Sequence, residues 1–285
     1  MSYVFEITHP LINFKIALHE LDELHVHEEI IPEFVEELAQ KISSDGTFFH
    51  PIVVERRHSV VLDGMHRVAA SKKIGFRYIP ACLVDYDNPN VKVGCWYRLI
   101  QNLQGFQEAI EVFEELDLSV QEGSLNEHLK LIERREAIAA LFTSERSLAL
   151  QGSIRDIKDA YAIISDIGGR LRRRGSVIRY DTENEAQRKV NDGNASIGLA
   201  TPVISKSEIV EVALAGRIFA PKSTRHIIPA RPMAVNIPTD WLWGDLSLGE
   251  TNRMMVDLLK SKRIERLPPG QVLDRKYDEE LFVFR

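Results

Sequence analysis

The stretch of the chain that most strongly predicts its fold is Val60-Val61-Leu62-Asp63-Gly64-Met65-His66-Arg67. The apolar residues 60–62 predict a short buried strand, and Asp63-Gly64 predicts a sharp turn at its end. A helix is predicted over residues 65–74, because Gly75 stands where a helix commonly ends in the left-handed conformation. The stretch therefore predicts a strand, a turn and a helix in direct succession.

The start of this predicted helix has the features of an anion-binding site. The first backbone N–H groups of a helix have no partner within the helix, and the helix dipole is positive there. Gly64 lets a ligand approach the backbone, His66 can donate a hydrogen bond, and Arg67 offers a planar fork to phosphate oxygens. Positive side chains are otherwise unfavourable at this end of a helix. The same residues also fit a plain helix start, with Asp63 as N-cap and Arg67 as a surface charge.

The residues around this stretch predict an α/β protein. Residues 14–100 predict one compact unit of strands and helices, in which Phe34, Leu38 and Ile42 follow the spacing of a helical face. Residues 105–135 are expected to be helical and residues 137–150 to form a hairpin. A second α/β pattern runs from residue 154 to the end, with strands predicted at 177–180, 196–199, 217–219 and 280–284. We place a domain boundary near residue 104, which gives domains of residues 1–104 and 105–285.

Length and composition describe an ordinary folded protein. The 285 residues suffice for one large or two modest domains, and 44% hydrophobic with 27% charged residues is typical of a soluble globular chain. No apolar run approaches the roughly 18 residues of a membrane span. The formal net charge of −6 disfavours binding of DNA or an anionic membrane by overall charge. The two cysteines are too few for a disulfide scaffold, so we expect a cytoplasmic protein.

Residues 25–29, His-Val-His-Glu-Glu, form a second candidate site. On an extended chain His25 and His27 share one face and Glu28 lies on the other. Imidazole and carboxylate groups can bind zinc, and a carboxylate can serve as a general base. A solvated run of charges before a helix is a third interpretation, and the pattern itself leaves all three open.

Three further features carry charged or aromatic side chains. The loop 220–226, Ala-Pro-Lys-Ser-Thr-Arg-His, holds donors suited to a carboxylate or a phosphate, or else is a solvated basic turn. Trp96 fits a core position, an interface or the wall of a pocket. The basic run 170–174 is most simply the solvated end of a helix, and less simply a nucleic-acid contact.

Several enzyme classes lack their motifs in this chain. The sequence contains no G-x-x-x-x-G-K-[ST] phosphate loop and no strand-linked G-x-G-x-x-G, so neither a P-loop nor a dinucleotide fingerprint is present. The protein-kinase motifs and the G-x-S-x-G elbow are missing as well.

Taken together, the motifs resemble the free serine kinases of the ParB/sulfiredoxin superfamily. The counterparts are His27-Glu28, the run Asp63 to Arg67, Trp96-Tyr97 and the loop Pro221 to His226. The resemblance is clear over residues 14–100 and 195–230, and the C-terminal residues look more like the siderophore-associated serine kinases. It implies a ParB/sulfiredoxin-like N-terminal domain that binds nucleotide, a second α/β domain that carries the distal loop, and an active site in the cleft between them.

The resemblance also implies an activity and a role for each matched residue. The activity is phosphorylation of free L-serine to O-phospho-L-serine by ATP or ADP, with Mg²⁺ and no resident metal site. Phosphoryl transfer needs positioning and charge neutralisation more than covalent chemistry from the protein. Glu28 would be the general base and Asp63 would assist at the reacting centre. Nucleotide phosphates would be held by Gly64, Met65, His66 and Arg67, and the amino acid by Trp96, Thr224, Arg225 and His226.

Lys41 departs from the family pattern, because family members tend to carry a small hydroxyl residue there. We expect Lys41 to contact substrate, so a close analogue of serine remains open as the acceptor. The alternative function is a ParB-like nucleotide- or DNA-binding module without kinase activity. Sulfiredoxin chemistry needs a cysteine before the His-Arg pair, where this chain has Met65.

Overall fold

The computed structural model describes residues 3–103, 105–273 and 276–285, and it is a mixed α/β structure. The domain boundary predicted at residue 104 lies outside the described residues and stays a prediction. The described residues form eight α-helices: α1 (Pro32–Asp45), α2 (Met65–Ile74), α3 (Phe106–Glu114), α4 (Leu125–Glu133), α5 (Ile157–Arg173), α6 (Glu183–Asn191), α7 (Lys206–Leu214) and α8 (Leu248–Ser261).

The strands are short, and most have two to seven residues. Those of the described residues are β1 (Phe5–Ile7), β2 (Phe14–Glu20), β3 (Thr47–Phe48), β4 (Ile52–Glu55), β5 (Val61–Asp63), β6 (Tyr78–Val84), β7 (Lys92–Gly94), β8 (Tyr97–Gln101), β9 (Val120–Gly123), β10 (Ala137–Phe142), β11 (Ser147–Gln151), β12 (Val177–Asp181), β13 (Ile197–Ala200), β14 (Arg225–Ile227), β15 (Ala230–Met233), β16 (Ile237–Pro238), β17 (Ile264–Leu267), β18 (Gln271–Val272), β19 (Lys276–Tyr277) and β20 (Glu280–Phe284).

The chain divides into two compact units, and each is assembled from separate segments. The first unit holds residues 1–92, 209–218 and 226–285, and the second holds residues 93–208 and 219–225. The C-terminal residues therefore pack in the same unit as the N-terminal ones. Among the described residues, none of the helices has the length and apolar character that crossing a membrane requires.

The first unit is built on a five-stranded sheet in the order β1-β2-β6-β4-β5. The two long strands β2 and β6 run antiparallel, with Phe14 opposite Val84, and β4 runs parallel to β6. All four residues of β4 are buried. The strand β5 lies at the edge, and α2 begins two residues after it ends. This is the strand, turn and helix predicted from residues 60–74.

The helix α1 packs against α2 with a face that includes the predicted Ile42 but is rotated away from Phe34. Its buried residues are Val35, Ala39 and Ile42, whereas Phe34 is 55% exposed. Both sets have helical spacing, and the buried set has the smaller side chains, which suit close contact between helices. Pro32 occupies the first turn, and Gly75 ends α2 in the left-handed conformation at φ 96°, as the sequence predicts.

The C-terminal residues add a three-stranded sheet to the first unit, in the order β15-β20-β17. Met233, Tyr277, Leu281 and Val283 form its small apolar core. The helix α8 is attached to β2 by one buried side chain. The Leu18 N–H donates to Asn252 Oδ1 at 2.7 Å, and Asn252 Nδ2 donates to the Leu18 carbonyl at 3.2 Å.

The second unit is built on a six-stranded antiparallel sheet in the order β12-β8-β13-β10-β11-β9. The hairpin predicted over residues 137–150 is confirmed as β10 and β11. Two predictions are wrong. Residues 105–135 are not helical throughout, because β9 pairs with β11 and separates α3 from α4. Residues 217–219 form no strand, because the Arg217 N–H donates to the Val212 carbonyl at the end of α7.

Candidate active site

The segment before α1 runs alongside β5. His25 and Val60 form a parallel bridge, in which the His25 N–H donates to the Ser59 carbonyl and the Val61 N–H donates to the His25 carbonyl. Strands in parallel register keep equal numbers of residues level with each other. The bridge fixes the segment before α1 beside β5, and Glu28 and Asp63 each follow it by three residues along their own segments.

Glu28 is half-buried, whereas Glu29 is exposed. Both line a cavity of about 340 Å³ within the first unit, which is a size typical of small-molecule sites. Its other lining residues are mostly apolar and come from the segment around the start of α1, one face of α2 and the residues after α7: Val26, Ile30, Pro32, Met65, Val68, Ala69, Lys72 and Ile218. A half-buried carboxylate that faces such a cavity can take a proton from a bound ligand.

His27 is fully buried. Burial and the nearby His226 lower the pKa of His27 to about 3, against a smaller opposing contribution from a hydrogen bond to the Val61 backbone. Its ring packs edge-on against the His226 ring at 5.6 Å. The described residues contain no group of three or more His, Cys, Asp or Glu side chains placed to hold a metal ion.

Gly64 begins α2 and cannot be replaced by a larger residue without a clash. Its φ is 104°, and a Cβ there would lie 2.6 Å from Ile52 Cγ2 and 2.9 Å from Arg67 Nη2. No described side chain caps α2, so Asp63 is not its N-cap and that interpretation is wrong. The first turn of α2 thus presents backbone N–H groups at a glycine, as an anion-binding helix start does.

Arg67 is braced against the backbone and is not a plain surface charge. Its Nη1 donates to the His50 carbonyl at 2.8 Å and to the Pro51 carbonyl at 2.7 Å. Its Nη2 lies 3.4 Å from Asp63 Oδ2. The guanidinium is held rigidly by contacts to the chain before β4, with its side chain 21% exposed.

His66 connects the segment before α1 with the first turn of α2. The Ile31 N–H donates to His66 Nε2 at 3.0 Å, which ties the start of α1 to the first turn of α2. Because Nε2 is an acceptor here, it is not the ring nitrogen that donates to a ligand in this conformation. The exposed Phe34 lies beside the same ring, with 6.1 Å between ring centres.

Asp63 has a second partner that the sequence motifs do not indicate. Arg231 on β15 donates from Nη1 to Asp63 Oδ2 at 2.7 Å, and its Nε forms an ion pair with Glu279. Burial favours a lower pKa for Arg231, but the carboxylates of Asp63 and Glu279 outweigh it and raise the pKa above its ordinary value. An arginine within the apolar run 228–235 is the one sequence signal that could have revealed this residue.

In the second unit, Trp96 and the loop after α7 form one cluster. Trp96 Nε1 donates to the Thr224 carbonyl at 2.9 Å. The Lys222 ammonium lies 5.1 Å and the Arg225 guanidinium 5.8 Å from the centre of the Trp96 ring, which are cation–π distances. The structure therefore brings Trp96, Thr224 and Arg225 together, and it shows Trp96 as a platform for two positive charges.

Glu183, the first residue of α6, holds this cluster and was not singled out by the sequence. Its Oε2 accepts from Arg225 Nη2 at 2.7 Å, and its Oε1 accepts from the Cys95 N–H at 2.9 Å. Burial favours a higher pKa for Glu183, but the hydrogen bonds from backbone N–H groups and from Arg225 lower its pKa overall. The carboxylate is therefore charged at neutral pH.

The chain passes from the second unit to the first between Arg225 and His226. In the first unit, His226 Nε2 lies 2.8 Å from the Tyr86 hydroxyl, and its ring contacts the ring of His27. Lys41 is exposed on α1 and does not line the cavity that Glu28 faces. The substrate contact expected of Lys41 stays a prediction.

The basic run at the end of α5 is paired with acidic side chains of α3. Arg170 binds Glu115 at 2.9 Å, and Arg174 binds Glu111 at 2.9 Å and Glu115 at 2.5 Å. These intramolecular ion pairs neutralise much of the positive charge with which the run could bind nucleic-acid phosphates.

The chain is similar to known L-serine kinases over most of its length. No protein-family model matches the chain. The chain is 29% identical over 241 residues to the ATP-dependent L-serine kinase of Staphylothermus marinus. The matched region covers 82% of this chain and 93% of that protein. It is 25% identical over 230 residues to the ADP-dependent L-serine kinase SerK of Thermococcus kodakarensis. That match covers 79% of this chain and 91% of that protein.

A solved structure shows the same fold. A glutamate-to-alanine mutant of free serine kinase, in complex with AMP, superposes with a TM-score of 0.69 at 23% identity. The match covers 84% of this chain and 97% of that chain. The resemblance to free L-serine kinases and the expected α/β fold are thereby confirmed.

We expect acid to destabilise the protein through His27. In the folded protein His27 stays neutral down to pH about 3, while the unfolded chain takes up a proton below its ordinary pKa of 6.5. Stability therefore falls as the pH falls through this window, by about 1.4 kcal/mol between pH 7.5 and 5.5. The free energy of unfolding of His27→Gln, measured by urea denaturation at both pH values, should lack this loss. His58→Gln, at a half-exposed histidine, should keep it, and equal losses in both variants would contradict the assignment.

Replacing Arg231 should destabilise the first unit. Arg231→Met keeps the length of the side chain but leaves the Asp63 and Glu279 carboxylates without their shared partner, so we expect a loss of about 3 kcal/mol. Arg266→Met is the matched control, because Arg266 pairs with Glu280 while 58% exposed, and exposed ion pairs contribute little to stability. Chemical denaturation of both variants measures the difference, and similar losses would show that Arg231 has no special role.

Proposed function

We propose that this protein is a kinase that transfers a phosphoryl group from ATP or ADP to the hydroxyl of free L-serine. One observation carries the proposal. Glu28 and Met65, the first residue of α2, line the same ligand-sized cavity, so the carboxylate faces the space beside the start of that helix. A base that faces a ligand-sized cavity next to an anion-binding helix start is the arrangement that phosphoryl transfer requires.

The first unit supplies the donor side of this reaction. Backbone N–H groups of residues 64–67 and the guanidinium of Arg67 would bind the phosphates of the nucleotide, because both are fixed before the ligand arrives. Met65 also lines the cavity that Glu28 faces. The first turn of α2 therefore borders both the proposed phosphate site and this cavity.

Glu28 would act as general base. It takes the proton of the serine hydroxyl while the serine oxygen attacks the terminal phosphorus of the nucleotide, and the bond from that phosphorus to the bridging oxygen breaks. ATP then leaves as ADP, or ADP as AMP. Asp63, held by Arg67 and Arg231, keeps a fixed orientation beside the reacting groups.

The amino acid would be recognised by charge. We assign its carboxylate to Arg225, whose guanidinium is fixed by Glu183 and by the Trp96 ring. Thr224 and His226 are the other proposed contacts, and Lys41 remains a candidate. A pocket that identifies a free amino acid needs such a fixed cation, since the carboxylate is what distinguishes free serine from serine within a protein chain.

Mg²⁺ would enter with the nucleotide as part of the substrate. Magnesium in such sites binds one or two carboxylates together with phosphate oxygens. The carboxylate of Asp63 fits this donor set, and bound Mg²⁺ would neutralise charge on the phosphates. A cytoplasmic location also stays a prediction.

The direct test is incubation of the purified protein with L-serine and Mg²⁺, with ATP and ADP in separate reactions, followed by phosphorus NMR. We expect O-phosphoserine with at least one nucleotide, and EDTA should abolish its formation. Homoserine and threonine serve as alternative acceptors, because Lys41 departs from the family pattern. Nucleotide binding without a phosphorylated product from any acceptor would favour the ParB-like binding module.

Glu28→Gln tests the assignment of the base. The amide cannot take the hydroxyl proton, so we expect kcat to fall by at least about a hundredfold while the Kd for nucleotide stays within about twofold. Glu29→Gln is the matched control, because it makes the same change at the adjacent exposed position. If Glu29→Gln lost activity and Glu28→Gln kept it, the roles of the two carboxylates would be reversed.

A further inference from the structure

Glu183 makes two directed contacts that converge on one carboxylate in the second unit. Arg225 Nη2 donates to its Oε2 at 2.7 Å, and the Cys95 N–H donates to its Oε1 at 2.9 Å. The Glu183 side chain is 24% exposed and that of Arg225 is 21% exposed. The pair is therefore largely desolvated, and a charge-assisted hydrogen bond in such surroundings fixes the orientation of the guanidinium.

Gly94 leaves space for this pair. A Cβ at position 94 would lie 2.7 Å from Glu183 Oε1 and 2.9 Å from Arg225 Nη2. Both distances are too short for real contacts, so any larger residue would push the carboxylate and the guanidinium apart. Gly94 shows, independently of the hydrogen bonds, that the backbone is shaped around the pair.

The other surfaces of Arg225 are arranged to receive a ligand. The guanidinium lies over the Trp96 ring, and Trp96 is fixed by its hydrogen bond to the Thr224 carbonyl. Arg225 Nε is buried and has no hydrogen-bond acceptor among the described residues. A buried donor without an acceptor is costly unless a ligand supplies one.

The shape of Arg225 suits a carboxylate ligand. A planar carboxylate matches the fork of an arginine guanidinium, and Glu183 binds this guanidinium at Nη2.

We propose that Glu183 is a positioning residue that orients Arg225 to bind the carboxylate of the free amino acid, and so makes a free carboxylate a condition for acceptance. This inference rests on the proposed kinase function. Glu183 acts through Arg225, while the chemistry at the hydroxyl depends on Glu28. Loss of Glu183 should therefore weaken binding of the acceptor and leave the transfer step intact.

The test compares L-serine with L-serinamide, which lacks the charged carboxylate, in the wild-type protein and in Glu183→Gln. The glutamine keeps an acceptor for the Cys95 N–H but removes the charge that holds Arg225. We expect KM for L-serine to rise at least about tenfold, with kcat and the KM for nucleotide within about threefold. The preference for L-serine over L-serinamide should fall by a similar factor, which a merely structural defect would not cause.

Two controls separate this effect from damage to the fold. Glu185→Gln changes a glutamate in the same turn of α6 that pairs with the exposed Arg188, and it should behave as wild type. Gly94→Ala should reproduce the loss of preference while Glu183 itself is intact, and Gly249→Ala, where a Cβ meets nothing within 4 Å, should not. Glu183→Asp, which restores the charge, should recover part of the preference.

The outcomes are distinct. If wild-type protein phosphorylates L-serine and Glu183→Gln keeps the KM and the preference of wild type, the inference is wrong and the kinase function stands. If Glu183→Gln does not fold, Gly94→Ala decides in its place, and an unchanged preference there overturns the inference. Wild-type protein that phosphorylates no acceptor overturns the proposed function and this inference with it.

Discussion

The ion pair between Asp63 and Arg231 is the contact on which the first unit depends. Asp63 ends β5 and leads into α2, while Arg231 lies in β15, which belongs to the C-terminal sheet. The pair therefore connects the turn before α2 to a residue that lies 168 positions further along the chain. Because Arg231 is almost completely buried, its charge must be matched within the protein, and Asp63 and Glu279 do this together. The C-terminal residues are thus part of the support of the proposed site.

The proposed nucleotide site has to work in an acidic protein. The net charge of −6 opposes a polyanion at long range, so the site would have to attract phosphate by local geometry. Backbone N–H groups at the start of α2 and a guanidinium braced by two carbonyls would provide that attraction at short range. Many of the other arginines are paired with carboxylates, as at the end of α5, and contribute little to the field outside the protein.

The sequence predicted the features that depend on neighbouring residues. The strand, turn and helix of residues 60–74 follow from apolar patterning and from glycines in the left-handed region, which are local effects. The resemblance supplied Glu28 and the distal loop. Arg231 and Glu183 were missed because their partners are distant in the chain. Glu183 and Glu185 lie in the same turn of α6 and look equivalent in the sequence, and only the tertiary structure shows that one meets Arg225 while the other meets Arg188.

The neutral state of His27 has a consequence for the chemistry at Glu28. A protonated imidazole directly before the base would stabilise the carboxylate and make it a weaker acceptor for the serine proton. Burial lowers the pKa of His27 to about 3, so no positive charge forms there at neutral pH. The arginines that hold Asp63 are fixed by that carboxylate and by backbone carbonyls, so in the proposed mechanism their charge serves the phosphates. Burial of His27 therefore keeps one positive charge away from the proposed base, which would otherwise lower its affinity for the serine proton.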